Sequence, residues 1–440
     1  MTERSNEHVG RRGRRLTASV TDLDVQRQRA MLVAVVDRRS PDGELGLAEL
    51  EALTDTAGSE PVASELVRRD RPDPATYIGS GKLRELVAES KALDVDVVVF
   101  DNELSPAQQR NLQKAFECDV VDRVALILDI FAQHAHTKEG MLQVELAQHR
   151  YRLPRLRGRG TEMSRLGAGI GTRGPGETKL ETDRRRILER MAKIERELKD
   201  AARSRSTRSR SRRRSGDPTV AIVGYTNAGK STLFNRLTGA DVLVEDRLFA
   251  TLDSTVRRLE LPDGHSALIS DTVGFVRNLP HELVQSFHST LEEVAEAGLL
   301  LHVVDASDPE PELQIAAVRR VLEEIGAGGN DELLVFNKID AADEVAVRRL
   351  RRLHRQAAFV SATDGTGIEA LRGAIRRALE ARTVEVSLLV PYDRGDVLGL
   401  VHDGGTVLDQ DHRDDGTRVV ARIPEAMAVR LDDFIVTTHP

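Results

Sequence analysis

The apolar run Val220-Ala221-Ile222-Val223 leads directly into Gly224-Tyr225-Thr226-Asn227-Ala228-Gly229-Lys230-Ser231, and Thr232 to Leu237 continues at helical spacing. No other stretch constrains the chain as much. A strand, a glycine-bounded loop and a helix in that order require an open α/β sheet with the loop at the carboxyl end of a strand. The glycines let the backbone fold around an anion, so that successive N–H groups and the helix N-terminus face phosphate. Lys230 adds a fixed cation and Ser231 a hydroxyl suited to Mg2+. A turn that only packed a strand on a helix would need neither residue in these places.

The nucleotide base is indicated by Asn337-Lys338-Ile339-Asp340, which follows the apolar run Leu333 to Phe336. A carboxylate at Asp340 can accept from both the ring N–H and the exocyclic amine of guanine. Adenine lacks that donor pair and would leave the carboxylate unpaired, at a cost of about 1–3 kcal/mol. Between the two motifs, Asp271-Thr272-Val273-Gly274 ends the strand Ala267 to Ser270, placing Asp271 to hold Mg2+ through water and the Gly274 N–H near a γ-phosphate. Phe249-Ala250-Thr251-Leu252-Asp253 offers Thr251 as a second Mg2+ hydroxyl, and Ser361-Ala362-Thr363 suits the guanine carbonyl. Five such elements in this order describe a GTP-hydrolysing domain. Phe275 is the anomaly: many GTPases carry at this position a Gln that orients the attacking water, which a phenyl ring cannot do. Slow intrinsic hydrolysis is expected, with the water-positioning group supplied elsewhere.

Charge is distributed unevenly. Residues 150–214 hold 22 Lys and Arg against 8 Asp and Glu, an excess of 14 in a chain of net charge −7, so the rest carries −21. A basic segment in an acidic protein points to a polyanionic partner met by one face. Between helical stretches at Leu142 to Leu153 and Leu180 to Leu198 lies a Gly-rich loop bearing Arg157, Arg159, Arg165 and Arg173. It reads as a plain connector or as a loop that orders against RNA phosphates, and its arginines favour RNA.

The 440 residues divide as a basic tail (1–25), an N-terminal α/β domain (26–136), a helical hairpin with its Gly-rich loop (137–202), an Arg/Ser linker (203–216), the GTPase domain (217–383) and a small α/β domain (384–440). In the first domain, strands are expected at Met31 to Val36, Val95 to Phe100 and around Val120, alternating with helices. Gly79-Ser80-Gly81-Lys82 mimics a second phosphate loop, but the glycine needed five residues before the Gly-Lys pair is Thr76, so a helix-starting turn is the better reading. The absence of Trp makes the cores aliphatic. A single cysteine, Cys118, excludes an internal disulfide or a cysteine-rich zinc site. No apolar run approaches the ~20 residues that span a bilayer, and the N-terminus lacks a signal-peptide core, so a cytoplasmic monomer is expected.

The motifs at 224–231, 249–253, 271–275 and 337–340, with Tyr77-Ile-Gly-Ser-Gly-Lys82, Gln143-Val-Glu-Leu-Ala-Gln148 and Gly171-Thr-Arg-Gly-Pro-Gly-Glu-Thr178, resemble the HflX family of ribosome-associated translation GTPases. The last three are the discriminating ones. The resemblance spans most of Met31 to Val436 and implies binding to the large ribosomal subunit, with the hairpin loop reaching ribosomal RNA, and splitting or rescue of stalled or idle ribosomes. A GTP-gated ribosome-assembly or RNA-modification factor is the alternative. The Arg/Ser run and the basic tail depart from the family pattern.

Overall fold

The computed structural model describes residues 27–38, 43–156, 175–215, 218–240, 248–249, 255–277, 288–381 and 383–439. The N-terminal domain is a parallel sheet in the order β2-β1-β3-β4, formed by β1 (Gln28–Val36), β2 (Ser59–Arg68), β3 (Val97–Phe100) and β4 (Asp119–Asp122). Helices α1 (Gly43–Thr56), α2 (Ser80–Ala92), α3 (Pro106–Phe116) and α4 (Arg123–His134) connect and follow these strands. Alternation along β1 divides the packing: Met31, Val33 and Val35 join Leu86 of α2 and Leu112 of α3, while Ala30 and Leu32 join Leu50 and Leu53 of α1 and Phe131 of α4. Strand β2 was not expected from the sequence. It is an edge strand, mostly half-buried, with Pro61 tolerated there and an irregular register opposite Ala30 and Met31.

A helical hairpin follows, α5 (Lys138–Arg155) and α6 (Pro175–Ser215), packed through Leu142, Leu146 and Ile194 and by a two-pronged Arg190–Glu145 ion pair at 2.7 and 2.6 Å. The C-terminal end of α5 is pinned to the first domain by Asp122. That fully buried carboxylate accepts from the Leu104 N–H (3.1 Å), the Tyr151 hydroxyl (2.9 Å) and the Arg155 guanidinium (3.2 Å). The segment 203–216, expected as a linker, is helical as far as Ser215. Arg is a good helix former, and no Gly or Pro interrupts the run between Pro175-Gly176 and Gly216. Arg157, Arg159, Arg165 and Arg173 lie outside the described residues.

The third unit is a six-stranded sheet, β10-β9-β8-β5-β7-β6, built from β5 (Thr219–Gly224), β6 (Thr255–Glu260), β7 (Ser266–Asp271), β8 (Leu299–Asp305), β9 (Asp331–Asn337) and β10 (Ala358–Phe359); β6 alone is antiparallel to its neighbour. Along β5, Val220 and Ile222 pack toward α7 (Lys230–Thr238), whereas Ala221 and Val223 face the opposite way. That second face shares one continuous core with the α1/α4 side of the N-terminal domain. Phe131 meets Phe249 edge to face there, with ring centroids 4.6 Å apart. An antiparallel sheet, β12-β13-β11-β14, built from β11 (Thr383–Val390), β12 (Thr406–Arg413), β13 (Gly416–Pro424) and β14 (Ile435–His439), closes the chain around Val386, Leu388, Val419 and Ile423.

Candidate functional site

Among the described residues, Gly224 to Ser231, Asp271 to Gly274, Asn337 to Asp340 and Ser361 to Thr363 lie at the carboxyl ends of β5, β7, β9 and β10. At Gly224, φ is +151° and any Cβ would sit 2.2 Å from the Val303 carbonyl oxygen, so β8 itself dictates glycine. Gly229, at φ +85°, begins α7, and a Cβ there would strike the Asn337 amide at 2.3 Å. That amide is the keystone of the site: its nitrogen donates to the Ala228 carbonyl (2.9 Å) and its oxygen accepts from the Ala362 N–H (3.0 Å). Three segments distant in sequence are locked together by one side chain. Ser361 is fully buried beneath the Ala362 turn, and Arg236 donates to the Ala362 and Thr363 carbonyls. Asp340 is exposed at the rim, Ile339 donates its N–H to Val360 (3.3 Å), and Lys338 is held by Asp305 at 2.9 Å.

Lys230 is only 6% exposed, and its amine donates to the Tyr225 carbonyl at 2.7 Å. Burial is the main cause that brings its pKa down to about 8; Lys338 adds to the shift and Asp271 opposes it. The Ser231 hydroxyl donates to the buried Asp271 carboxylate (2.7 Å), and Thr272 donates to the Ile222 carbonyl (2.6 Å). A Cβ on Gly274 would lie 2.8 Å from the Lys230 amine and from Thr226 Cγ2, so the backbone after β7 passes directly over the loop. Val273 and Phe275 are buried in the shared core. Phe275 donates its N–H to Gly224 (3.1 Å) and accepts from the Thr226 N–H (2.7 Å), which turns its ring away from the loop's surface. Phe249 is buried against Phe131, while Ala250, Thr251, Leu252 and Asp253 lie outside the described residues.

With that geometry in place, family models match three stretches: "GTP-binding GTPase N-terminal" over 44–132, "GTP-binding GTPase Middle Region" over 134–213 and "50S ribosome-binding GTPase" over 219–338. The GTPase HflX of Caldanaerobacter subterraneus subsp. tengcongensis is 46% identical over 416 residues, covering 94% of this chain and 96% of that one. The chain belongs to the HflX family of GTPases. The Escherichia coli HflX is 45% identical over 370 residues, 84% of this chain and 87% of its own. A GTP-binding protein of Sulfolobus solfataricus, solved with GDP, is 25% identical and covers 80% of this chain and 98% of its own, at a TM-score of 0.40. The HflX sequence pattern thus runs through the N-terminal and hairpin regions as well as the nucleotide-binding one.

One group of residues in this HflX-family chain escaped the sequence reading. Glu49 of α1 accepts from the Tyr225 hydroxyl (2.6 Å) and pairs with Arg123 (2.9 Å) and Arg277 (3.7 Å). Asp101 pairs with Arg123 (2.7 Å) and Arg277 (3.9 Å). Arg123 also donates to the Arg277 carbonyl (3.0 Å), and the Tyr225 hydroxyl accepts from the Arg277 N–H (2.7 Å). Two carboxylates and two guanidiniums, all largely buried, therefore bind the N-terminal domain to the phosphate loop and to the segment after Gly274. Burial and the neighbouring Glu49 push the Tyr225 phenol well above its usual range, which keeps it a donor. Tyr225, inside the phosphate loop, is the one sequence signal that could have pointed to it. By contrast, Lys82 of the second glycine turn is neutralised by Glu65 (3.0 Å) and Glu85 (3.4 Å).

Proposed function

We propose that Gly224 to Ser231 cradle the phosphates of GTP, that Asn337, Lys338, Ile339 and Asp340 with Ser361, Ala362 and Thr363 hold guanine, and that Asp271 to Gly274 respond to the γ-phosphate. The observation that most supports this is the Asn337 side chain, which joins the phosphate loop to both base-side turns through a donor and an acceptor at 2.9 and 3.0 Å. Such an arrangement fixes the spacing between phosphate and base pockets before ligand arrives. The hard oxygens of half-buried Ser231 and buried Asp271, 2.7 Å apart, fit Mg2+, with Thr251 as a further donor. Bound there, Mg2+ would offset charge on the β- and γ-phosphates. Lys230 stabilises charge on the same phosphates, and Asp340 selects guanine by accepting from its two donors.

On the ribosome, we infer that this cytoplasmic protein acts as a monomer on the large subunit, splitting or rescuing stalled or idle particles, with hydrolysis accelerated by the particle. The family membership supports this, as does the hairpin: α5, tied to the first domain through Tyr151 and Arg155, leads in sequence directly into the segment that bears Arg157, Arg159, Arg165 and Arg173, whose charge-driven contact with ribosomal RNA would be salt-dependent. Among the described residues, no helix is long and apolar enough to cross a membrane. Sedimentation of 70S ribosomes with the protein and a non-hydrolysable GTP analogue tests the reading. Release of small subunits is expected. Intact 70S particles with the protein bound would favour the assembly-factor alternative instead.

A further inference from the structure

Phe275 leaves the hydrolytic centre without the polar side chain that orders water in many GTPases, and the structure places a different polar group beside it. Thr226 is only 6% exposed, and its hydroxyl has no hydrogen-bond partner among the described residues. Its surroundings are the groups that meet the terminal phosphate. The Gly274 backbone lies against it, so closely that a Cβ there would come within 2.9 Å of Thr226 Cα and 2.8 Å of the Lys230 amine. Its own N–H is bonded to the Phe275 carbonyl at 2.7 Å, which fixes the residue to the segment that follows Gly274.

A buried hydroxyl without a partner is a cost to the fold. Valine has the same shape and would remove that cost, so the hydroxyl at this position calls for a partner that arrives with the substrate. We propose that the Thr226 hydroxyl is a catalytic group for GTP hydrolysis, bridging the attacking water and the γ-phosphoryl group. Unlike Phe275, a threonine hydroxyl is donor and acceptor at once: it can donate to a γ-phosphate oxygen while accepting from the water. The water oxygen forms the new bond to phosphorus as the bond to the β,γ-bridging oxygen breaks. The electron pair leaves on GDP, and the water proton passes to a γ-phosphate oxygen, giving phosphate. Thr226 gains and loses no net proton; its contribution is alignment. The inference rests on the GTPase reading and deepens it.

The test compares Thr226→Val and Thr226→Ser with the unaltered full-length protein, measuring single-turnover GTP hydrolysis, with and without large ribosomal subunits, and affinities for GDP and a non-hydrolysable GTP analogue. Thr226→Val should lower kcat about 10²-fold, the scale of one lost transition-state hydrogen bond. Both affinities should stay within about twofold, because the loop backbone and Lys230 are untouched. Thr226→Ser, which keeps the hydroxyl, should retain kcat within about fivefold, and Thr226→Val should melt no lower than the parent. A Val variant with unimpaired kcat overturns the proposal, as does a Ser variant as slow as Val, or a loss of analogue affinity equal to the loss of rate. An unaltered protein that binds GTP yet never hydrolyses it would instead bring down the enzymatic reading, and this inference with it.

Discussion

Arg123→Met probes the contact between the N-terminal domain and the nucleotide-binding domain. Arg123 is 3% exposed, and its guanidinium answers two carboxylates, Glu49 at 2.9 Å and Asp101 at 2.7 Å, while donating to the Arg277 carbonyl. Removing one partner of a buried ion pair costs about 3–5 kcal/mol, because the charge left behind is neither solvated nor paired. Arg277 stays within 3.7 Å of Glu49 and 3.9 Å of Asp101, so it compensates in part. The loss should therefore fall near the lower end, about 3 kcal/mol, a large share of the 5–15 kcal/mol typical of a folded protein. Urea unfolding followed by circular dichroism reads it directly. The shared core predicts that both domains leave in a single transition, whose midpoint drops in the variant. The double change Asp101→Asn, Arg123→Met leaves Glu49 opposite Arg277 with no uncompensated charge, and should recover part of the loss. A single substitution costing under about 1 kcal/mol would refute the reasoning. So would a double variant less stable than the single one.

Two further outcomes follow from the nucleotide site. Burial holds the Lys230 pKa near 8 in the free protein, whereas bound phosphates favour the charged amine, so above that pH nucleotide binding must take up a proton. GDP affinity should be flat below pH 8 and weaken by up to about tenfold per pH unit above it; a fluorescent-GDP titration that stays flat through about pH 9.5 contradicts this linkage. Asp340→Asn should lose discrimination for guanine by about 10-fold or more and gain xanthine nucleotides, whose extra carbonyl accepts where guanine donates. Competition by GTP and XTP measures it, and an unchanged preference for GTP removes Asp340 from the base pocket.

The phosphate loop was legible because its chemistry and its folding use the same residues: Gly224 and Gly229 are required by the backbone of β8 and by the Asn337 amide as much as by an anion. The apolar runs of β1 and β5 were visible for a similar reason, since a strand covered on both faces is apolar at every position. Strand β2 was hidden. At an edge, half-exposed and carrying Glu60, Pro61 and Glu65, it has no apolar pattern to betray it, and its pairing with β1 alone makes it a strand. The helical state of the Arg/Ser run was not legible because its composition suggests solvation, while helix formation depends on the absence of breakers between Gly176 and Gly216. Glu49, Asp101, Arg123 and Arg277 could not be read at all. Each is an ordinary surface residue type, and the contacts joining Glu49 to Arg277 span 228 residues of chain.

The shared core also sets an order of events during synthesis. Phe131 emerges 118 residues ahead of Phe249, the ring it packs against, and Leu50 and Leu53 lead by still more. At translation rates of about 5–20 residues per second, the α1/α4 face stays uncovered for roughly 6–24 s. Through that interval the newborn N-terminal domain carries an apolar flank together with Glu49, Asp101 and Arg123, whose partner Arg277 is not yet made. The nascent chain is therefore obliged to hold half a domain interface open to water, or to a chaperone, until its own GTPase half arrives to close it.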